Sequence, residues 1–96
     1  MSSSQKSEEF YKRFHQQLSE STSWPSRYVF KFIVPTSEDK INQLTHMFQM
    51  LAPKISTNVS SNGKYTSVTL EAQIASADLV IEKYKQVSEI EGIISL

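Results

Sequence analysis

Two kinds of hydrophobic pattern alternate along this chain, one with the period of a strand and one with the period of a helix. The strand-like pattern is clearest over residues 55–70, Ile55-Ser56-Thr57-Asn58-Val59-Ser60-Ser61-Asn62-Gly63-Lys64-Tyr65-Thr66-Ser67-Val68-Thr69-Leu70. Two extended runs flank Asn62-Gly63, a dipeptide that favours the positive φ angles of a tight hairpin turn. A two-residue loop would set Ser61 against Lys64. Counting outward pairs Val59 with Thr66, Thr57 with Val68 and Ile55 with Leu70. These residues share one face, because side chains alternate along both strands. The more polar set, Ser56, Asn58 and Ser60 against Thr69, Ser67 and Tyr65, falls on the other face.

A second strand is predicted over residues 27–34, where Tyr28-Val29-Phe30-Lys31-Phe32-Ile33-Val34 is rich in aromatic and β-branched residues. Tyr28, Phe30, Phe32 and Val34 form one face and Val29, Lys31 and Ile33 the other. Both faces are mostly apolar, as in a central strand, and the lysine leaves the second one partly open to water. Ile93-Ile94-Ser95-Leu96 reads as a short terminal strand, and the second hairpin strand continues to about Ile74.

Helical periodicity marks three segments. Phe10, Phe14 and Leu18 recur four apart between Glu8 and Ser21, with Ser7 placed to cap and Met1 to Ser7 read as a frayed tail. Ile41, Leu44, Phe48 and Leu51 follow Pro35-Thr36-Ser37-Glu38-Asp39, where Thr36 and Asp39 stand in a near-capping-box arrangement. Ala52-Pro53 ends that helix. Ala77, Val80, Tyr84 and Val87 follow a cap at Ser76, and Gly92 or the residues just before it end the last helix.

After an added N-terminal helix the order is strand–helix–strand–strand–helix–strand. This predicts an α+β, ferredoxin-like βαββαβ domain over residues 24–96, preceded by a tail and amphipathic helix over residues 1–23. Right-handed crossovers give a four-stranded antiparallel sheet of order 4-1-3-2 with two helices on one face. The other face then carries Val29, Lys31, Ile33, Ser67, Thr69 and Glu71, with Lys31 and Glu71 expected near each other. That face is the candidate interaction surface. Asn62 and Gly63 are read as a structural turn.

Composition narrows the function more than it identifies it. The 96 residues suffice for one core. Ten basic and ten acidic residues give zero formal net charge, whereas binding through phosphate neutralisation calls for a basic excess. The absence of cysteine excludes disulfides, thiolate nucleophiles and cysteine-based metal sites. No run approaches the roughly 20 apolar residues of a spanning helix, and the polar N-terminus does not resemble a signal peptide, so a cytoplasmic protein is expected.

Candidate chemistry is sparse. His15 and His46 each sit in a predicted helix with no second His, Asp or Glu four residues away, so both read as solvent-facing or partly covered. Glu8-Glu9 and Glu38-Asp39 open helices, where they complement the dipole. No serine occupies a strained nucleophile elbow, and two glycines cannot make a phosphate loop. Met47 and Met50 flank a core stripe as gap fillers. RNA-recognition domains share this element order and stack bases on aromatics of the first and third strands. Here Tyr65 is followed by Ser67 where a second ring belongs. No metal, cofactor, catalytic residue, nucleic acid or membrane is therefore assigned.

The segments Trp24-Pro25 to Val34 and Ser60-Ser61-Asn62-Gly63-Lys64-Tyr65-Thr66-Ser67-Val68 carry a resemblance. An aromatic-Pro dipeptide precedes a Tyr-x-Phe-Lys strand, and a Ser-Ser-x-Gly-x-Tyr-x-Ser-Val hairpin follows. In this the chain resembles the YbeD-like family of small, largely uncharacterised bacterial proteins, roughly from Trp24 to Leu96. The resemblance implies a ferredoxin-like domain similar to ACT regulatory domains, and for some members a regulatory link to lipoate metabolism. It carries over no catalytic residues. ACT domains that bind amino acids typically place Gly in the first strand–helix loop, and Val34-Pro35-Thr36-Ser37-Glu38 has none. The expected function is a non-enzymatic regulatory or protein-interaction module, self-associating as a homodimer or binding an unknown protein partner. The alternative is an ACT-type small-ligand sensor.

Overall fold

The computed structural model describes residues 2–96, with side chains from residue 8 onward. The elements are α1 (Ser2–Ser21), β1 (Ser26–Pro35), α2 (Glu38–Phe48), β2 (Lys54–Val59), β3 (Tyr65–Ile74), α3 (Ala77–Val87) and β4 (Ile94–Ser95), with a 3₁₀ turn at Gln49–Leu51 after α2. The sheet order is β2-β3-β1-β4, which read from the β4 edge is the expected 4-1-3-2. All neighbouring strands are antiparallel, and the fold is ferredoxin-like.

The core lies between the sheet and the helices. Phe30, Phe32 and Val34 of β1 and Val68, Leu70, Ala72 and Ile74 of β3 are buried against Leu44 and Phe48 of α2 and Ala77, Val80 and Val87 of α3. Phe30 meets Phe48 edge-on with ring centroids 4.9 Å apart. Each such side chain contributes roughly 1.5–3 kcal/mol through burial. Ile81 is buried as well, outside the predicted stripe. The reason is α1, which packs on α3 and widens the covered side of that helix.

The hairpin keeps the predicted register, with Val59 opposite Thr66, Thr57 opposite Val68 and Ile55 opposite Leu70. Its turn differs. Ser60 N–H donates to the Tyr65 carbonyl and Gly63 N–H to the Ser60 carbonyl, so Ser61 to Lys64 all lie in the loop. Asn62 Oδ1 accepts from Ser60 Oγ and from Lys64 N–H, and Gly63 takes φ +75°. A four-residue loop with the same centre as a two-residue loop leaves the outer pairs unchanged. β2 also differs from expectation in burial, because every one of its residues is exposed. Neither helix reaches this edge strand, so Ile55 and Val59 face the helix side of the sheet without a cover.

Helix ends differ in three places. Ser7 lies inside α1, which begins at Ser2, while Met1 lies outside the described residues. Ser37, not Thr36, caps α2 by accepting from Lys40 N–H. Thr36 instead continues the sheet, donating its N–H to the Lys64 carbonyl and sharing a 2.9 Å hydrogen bond with the Thr66 hydroxyl. The last helix stops at Val87, and Gly92 takes φ +81° in the turn that leads into β4. Ser76 caps α3 as predicted, accepting from Leu79 N–H.

Candidate functional site

The position of α1 decides what the sheet has to offer. Leu18 is buried, Phe14 packs at a tilt on Tyr84 of α3 with ring centroids 5.4 Å apart, and the Trp24 indole N–H donates to the Leu18 carbonyl. His15 Nε2 lies 2.7 Å from Asp78 Oδ1 at the start of α3, and the Lys85 ammonium sits over the Tyr11 ring. The helix therefore docks on the helical layer, leaving the opposite sheet face bare.

Sheet register assigns the side chains of that bare face. Ile94 of β4, Ile33 of β1, Ser67 of β3 and Asn58 of β2 form one row across it. Lys31, Thr69 and Ser56 form the next, and Val29, Glu71 and Lys54 the one after. All six candidate residues, Val29, Lys31, Ile33, Ser67, Thr69 and Glu71, thus share one continuous surface. Ile94 and Tyr65 join them, and sequence reasoning did not place Ile94 there because the pairing partner of the last strand sets its facing. Val29 and Ile94 are 53% and 51% exposed, in a strand arrangement that could have hidden both had α1 covered this side.

Lys31 and Glu71 lie in adjacent rows of this face, near each other as expected. Glu71 pairs with Arg27, Oε2 to Nε at 2.9 Å, and not with Lys31. Register explains this, since Glu71 lies opposite Val29 and both Arg27 and Lys31 lie one row away; the arginine takes the carboxylate. Its guanidinium, by hydrogen bond and by charge, holds the Glu71 carboxyl below the ordinary value of 4.5, with Lys54 adding to the effect against the small cost of burial. Lys31 makes no ion pair among the described residues. Tyr65 supplies a single aromatic ring, and beside it Ile33, Asn58, Ser60 and Ser67 line a shallow depression of about 150 Å³. A row of stacking rings is absent among the described residues of this face.

Other hollows lie on the helical side. Phe10, Tyr11, Phe14, Tyr84 and Leu96 line an apolar cleft of about 260 Å³ between α1, α3 and the chain end. A wider groove runs between Met47 at the end of α2, Met50 just after it, and Lys83 and Glu89 on the α3 side. Met47 packs against the core as expected, but Met50 is 98% exposed. Met50 stands two residues beyond Phe48, more than half a turn around the helix axis, so it points away from the Leu44 and Phe48 stripe.

Chemistry beyond binding is thinly represented. No group of three or more His, Cys, Asp or Glu side chains that could hold a metal occurs among the described residues, and His15 and His46 lie on different helices without convergent ligands. Among the described residues no helix is long and apolar enough to cross a membrane.

Comparison with known proteins matches this arrangement to a family. Residues 19–96 match the family described as protein of unknown function, DUF493. The chain is 33% identical over 73 residues to a UPF0250 protein of Shewanella halifaxensis, covering 73% of this chain and 83% of that one. It is 32% identical over 73 residues to a UPF0250 protein of Shewanella piezotolerans, with the same coverage. No solved structure matches the chain. Both relatives carry names without an assigned activity, and the matched segment begins within α1 and spans the whole sheet. The chain therefore belongs to the DUF493 family of small bacterial proteins, the YbeD-like family that its hairpin and first strand resemble.

Proposed function

We propose that this protein is a non-enzymatic regulatory module that works by binding another protein across its bare sheet face. The observation that carries this reading is the docking of α1 on α3, which leaves the paired Ile33 and Ile94 without a cover, with exposed Val29 on the same face beyond Lys31. Exposed apolar side chains scattered singly need no explanation, but neighbouring ones rimmed by polar residues mark an interaction site, and Ile33 adjoins Ile94 on one side and shares a depression with Tyr65 on the other. Lys31 and, beyond it, the Arg27–Glu71 pair border Ile33 and Ile94 with charge, and the zero net charge of the chain favours a protein partner over nucleic acid. Affinity capture from a lysate of the protein's own cells tests the proposal. A partner retained by wild type should be lost by a Val29→Glu, Ile33→Glu double variant whose circular dichroism is unchanged. Equal retention by both proteins would remove this face from consideration.

A second reading, a small-ligand sensor of ACT type, draws its support from the apolar cleft beside Tyr84. Its mostly apolar lining suits a short acyl chain better than an amino acid, whose two charged groups would meet only the hydroxyls of Ser88, Ser95 and the two tyrosines. Thermal-shift titration with octanoate, lipoate and amino acids separates these cases, and no response to any of them would end this reading.

A further inference from the structure

The free edge of β2 offers a different kind of contact. Ser60 N–H donates to the Tyr65 carbonyl, and hydrogen-bonded pairs in an antiparallel ladder recur every second residue. Lys54, Ser56 and Asn58 therefore direct their backbone groups toward β3. Ile55, Thr57 and Val59 direct theirs away from it, into solvent at the sheet edge. The same three residues carry the side chains that face the helical side, and there Ile55 and Val59 are 39% and 55% exposed. Unsatisfied backbone groups and uncovered apolar side chains coincide on one short strand.

We infer that β2 pairs antiparallel with β2 of a second copy of this chain, about a two-fold axis through Thr57. This inference extends the interaction-module reading to a homodimer but uses a surface separate from the bare face. Centring on Thr57 sets Thr57 against its symmetry mate and Ile55 against Val59 of the other copy. All of these are positions whose N–H and C=O already point outward, so each pair closes two hydrogen bonds without moving the backbone. Each Ile55 gains a Val59 neighbour on the same face, the cross-strand contact that stabilises antiparallel pairs. Pro53, which lacks an N–H, ends the ladder where the strand ends.

Charge is compatible with a second copy. The one charge on the strand, Lys54, falls opposite Ser60 of the other chain and already lies across from Glu71 of its own. Strand edges that stay free in natural proteins are guarded by inward charges, prolines or bulges, and residues 55–59 contain none of these. The resulting sheet has eight strands, with the helices of both copies on one side.

Sedimentation equilibrium and hydrogen exchange on the full chain test this. Wild type should approach twice the 11.0 kDa chain mass as concentration rises. The amides of Ile55, Thr57 and Val59 should become protected over the same range, whereas those of Ser56 and Asn58 are protected throughout by β3. Thr57→Pro removes one outward N–H per chain and none that β3 uses, so it should keep the fold and weaken self-association by about tenfold or more. Thr57→Lys and Thr57→Glu should each be monomeric alone, since like charges would meet at the axis, and should form a mixed dimer when combined. A monomer at all concentrations, a dimer indifferent to Thr57→Pro, or charge variants that do not recover on mixing would overturn the inference. None of these outcomes bears on capture through Val29 and Ile33, so the two proposals fail separately.

Discussion

The hydroxyls of Tyr28 on β1 and Tyr84 on α3 lie 3.2 Å apart, joining the sheet to the last helix. Tyr84 also packs its ring on Phe14 of α1 and on Phe30 and Phe32 of β1. Burial, and then the hydrogen bond and charge of Tyr28, push the Tyr84 phenol well above its ordinary 10.0. A group whose folded pKa is raised adds stability that is complete below the unfolded value and lost as pH rises toward the folded one. Denaturation midpoints should therefore fall above about pH 10. Tyr84→Phe should remove part of that alkaline loss while costing about 1 kcal/mol at neutral pH through the missing hydrogen bond. Urea titrations at neutral and alkaline pH compare the two proteins, and parallel pH profiles would count against this role.

The docking of α1 should depend on Leu18 and hardly at all on Phe10. Leu18 is 7% exposed within the core, whereas Phe10 is 58% exposed at the rim of the cleft. Leu18→Ala should cost about 2–5 kcal/mol and Phe10→Ala much less, read from thermal or chemical denaturation. Comparable losses would mean that the whole helix contributes evenly.

Both glycines adopt positive φ, yet substitution should separate them. Around Gly63 an added Cβ meets nothing within 4 Å, so Gly63→Ala carries only backbone strain of about 1 kcal/mol. Gly63→Val should cost more, on the order of 1–2 kcal/mol or above, because a β-branched residue resists this conformation. At Gly92 the Cβ would come within 2.8 Å of Pro35 Cγ as well, so Gly92→Ala should be worse than Gly63→Ala. Equal midpoints for the two alanine variants would show that the β1 end can move aside freely.

Electrostatics on the bare face should be visible by titration more than by stability. The Glu71 carboxyl should titrate below 4.5 by NMR, and Arg27→Gln should bring it back toward that value. Since Glu71 is held low in the folded state, its contribution is present above the ordinary carboxyl pKa and fades as pH falls. At neutral pH, Glu71→Gln should leave the denaturation midpoint almost unchanged, as expected for a solvent-exposed pair.

Capping gives a residue-level contrast. Ser37→Ala should destabilise by about 1 kcal/mol, because Ser37 is the side chain that accepts from the first turn of α2. Thr36→Val tests the hydroxyl pair with Thr66 instead, and it should lower stability without lowering the helicity of a peptide spanning α2.

Local pattern carried the element order, the strand order and the β2–β3 register, because each depends on side-chain alternation, helical spacing or turn residues within a few positions. Gly63 could be assigned its positive φ on the same basis. The loop around it could not be sized so easily, since the Asn62 and Ser60 side chains accept from Lys64 N–H and Tyr65 N–H in place of backbone carbonyls. What tertiary structure alone decided was where the amphipathic faces went. The Phe10, Phe14 and Leu18 stripe fits either side of the sheet by hydrophobicity, and the aromatic face of Tyr84 together with Asp78 beside His15 directs it to α3. That choice bares Val29, Ile33 and Ile94, and the limited reach of two helices across four strands leaves β2 uncovered. Periodicity identifies which residues share a face. Which faces remain in water depends on contacts between elements distant in the chain, and those contacts exist only once the sheet and helices have packed.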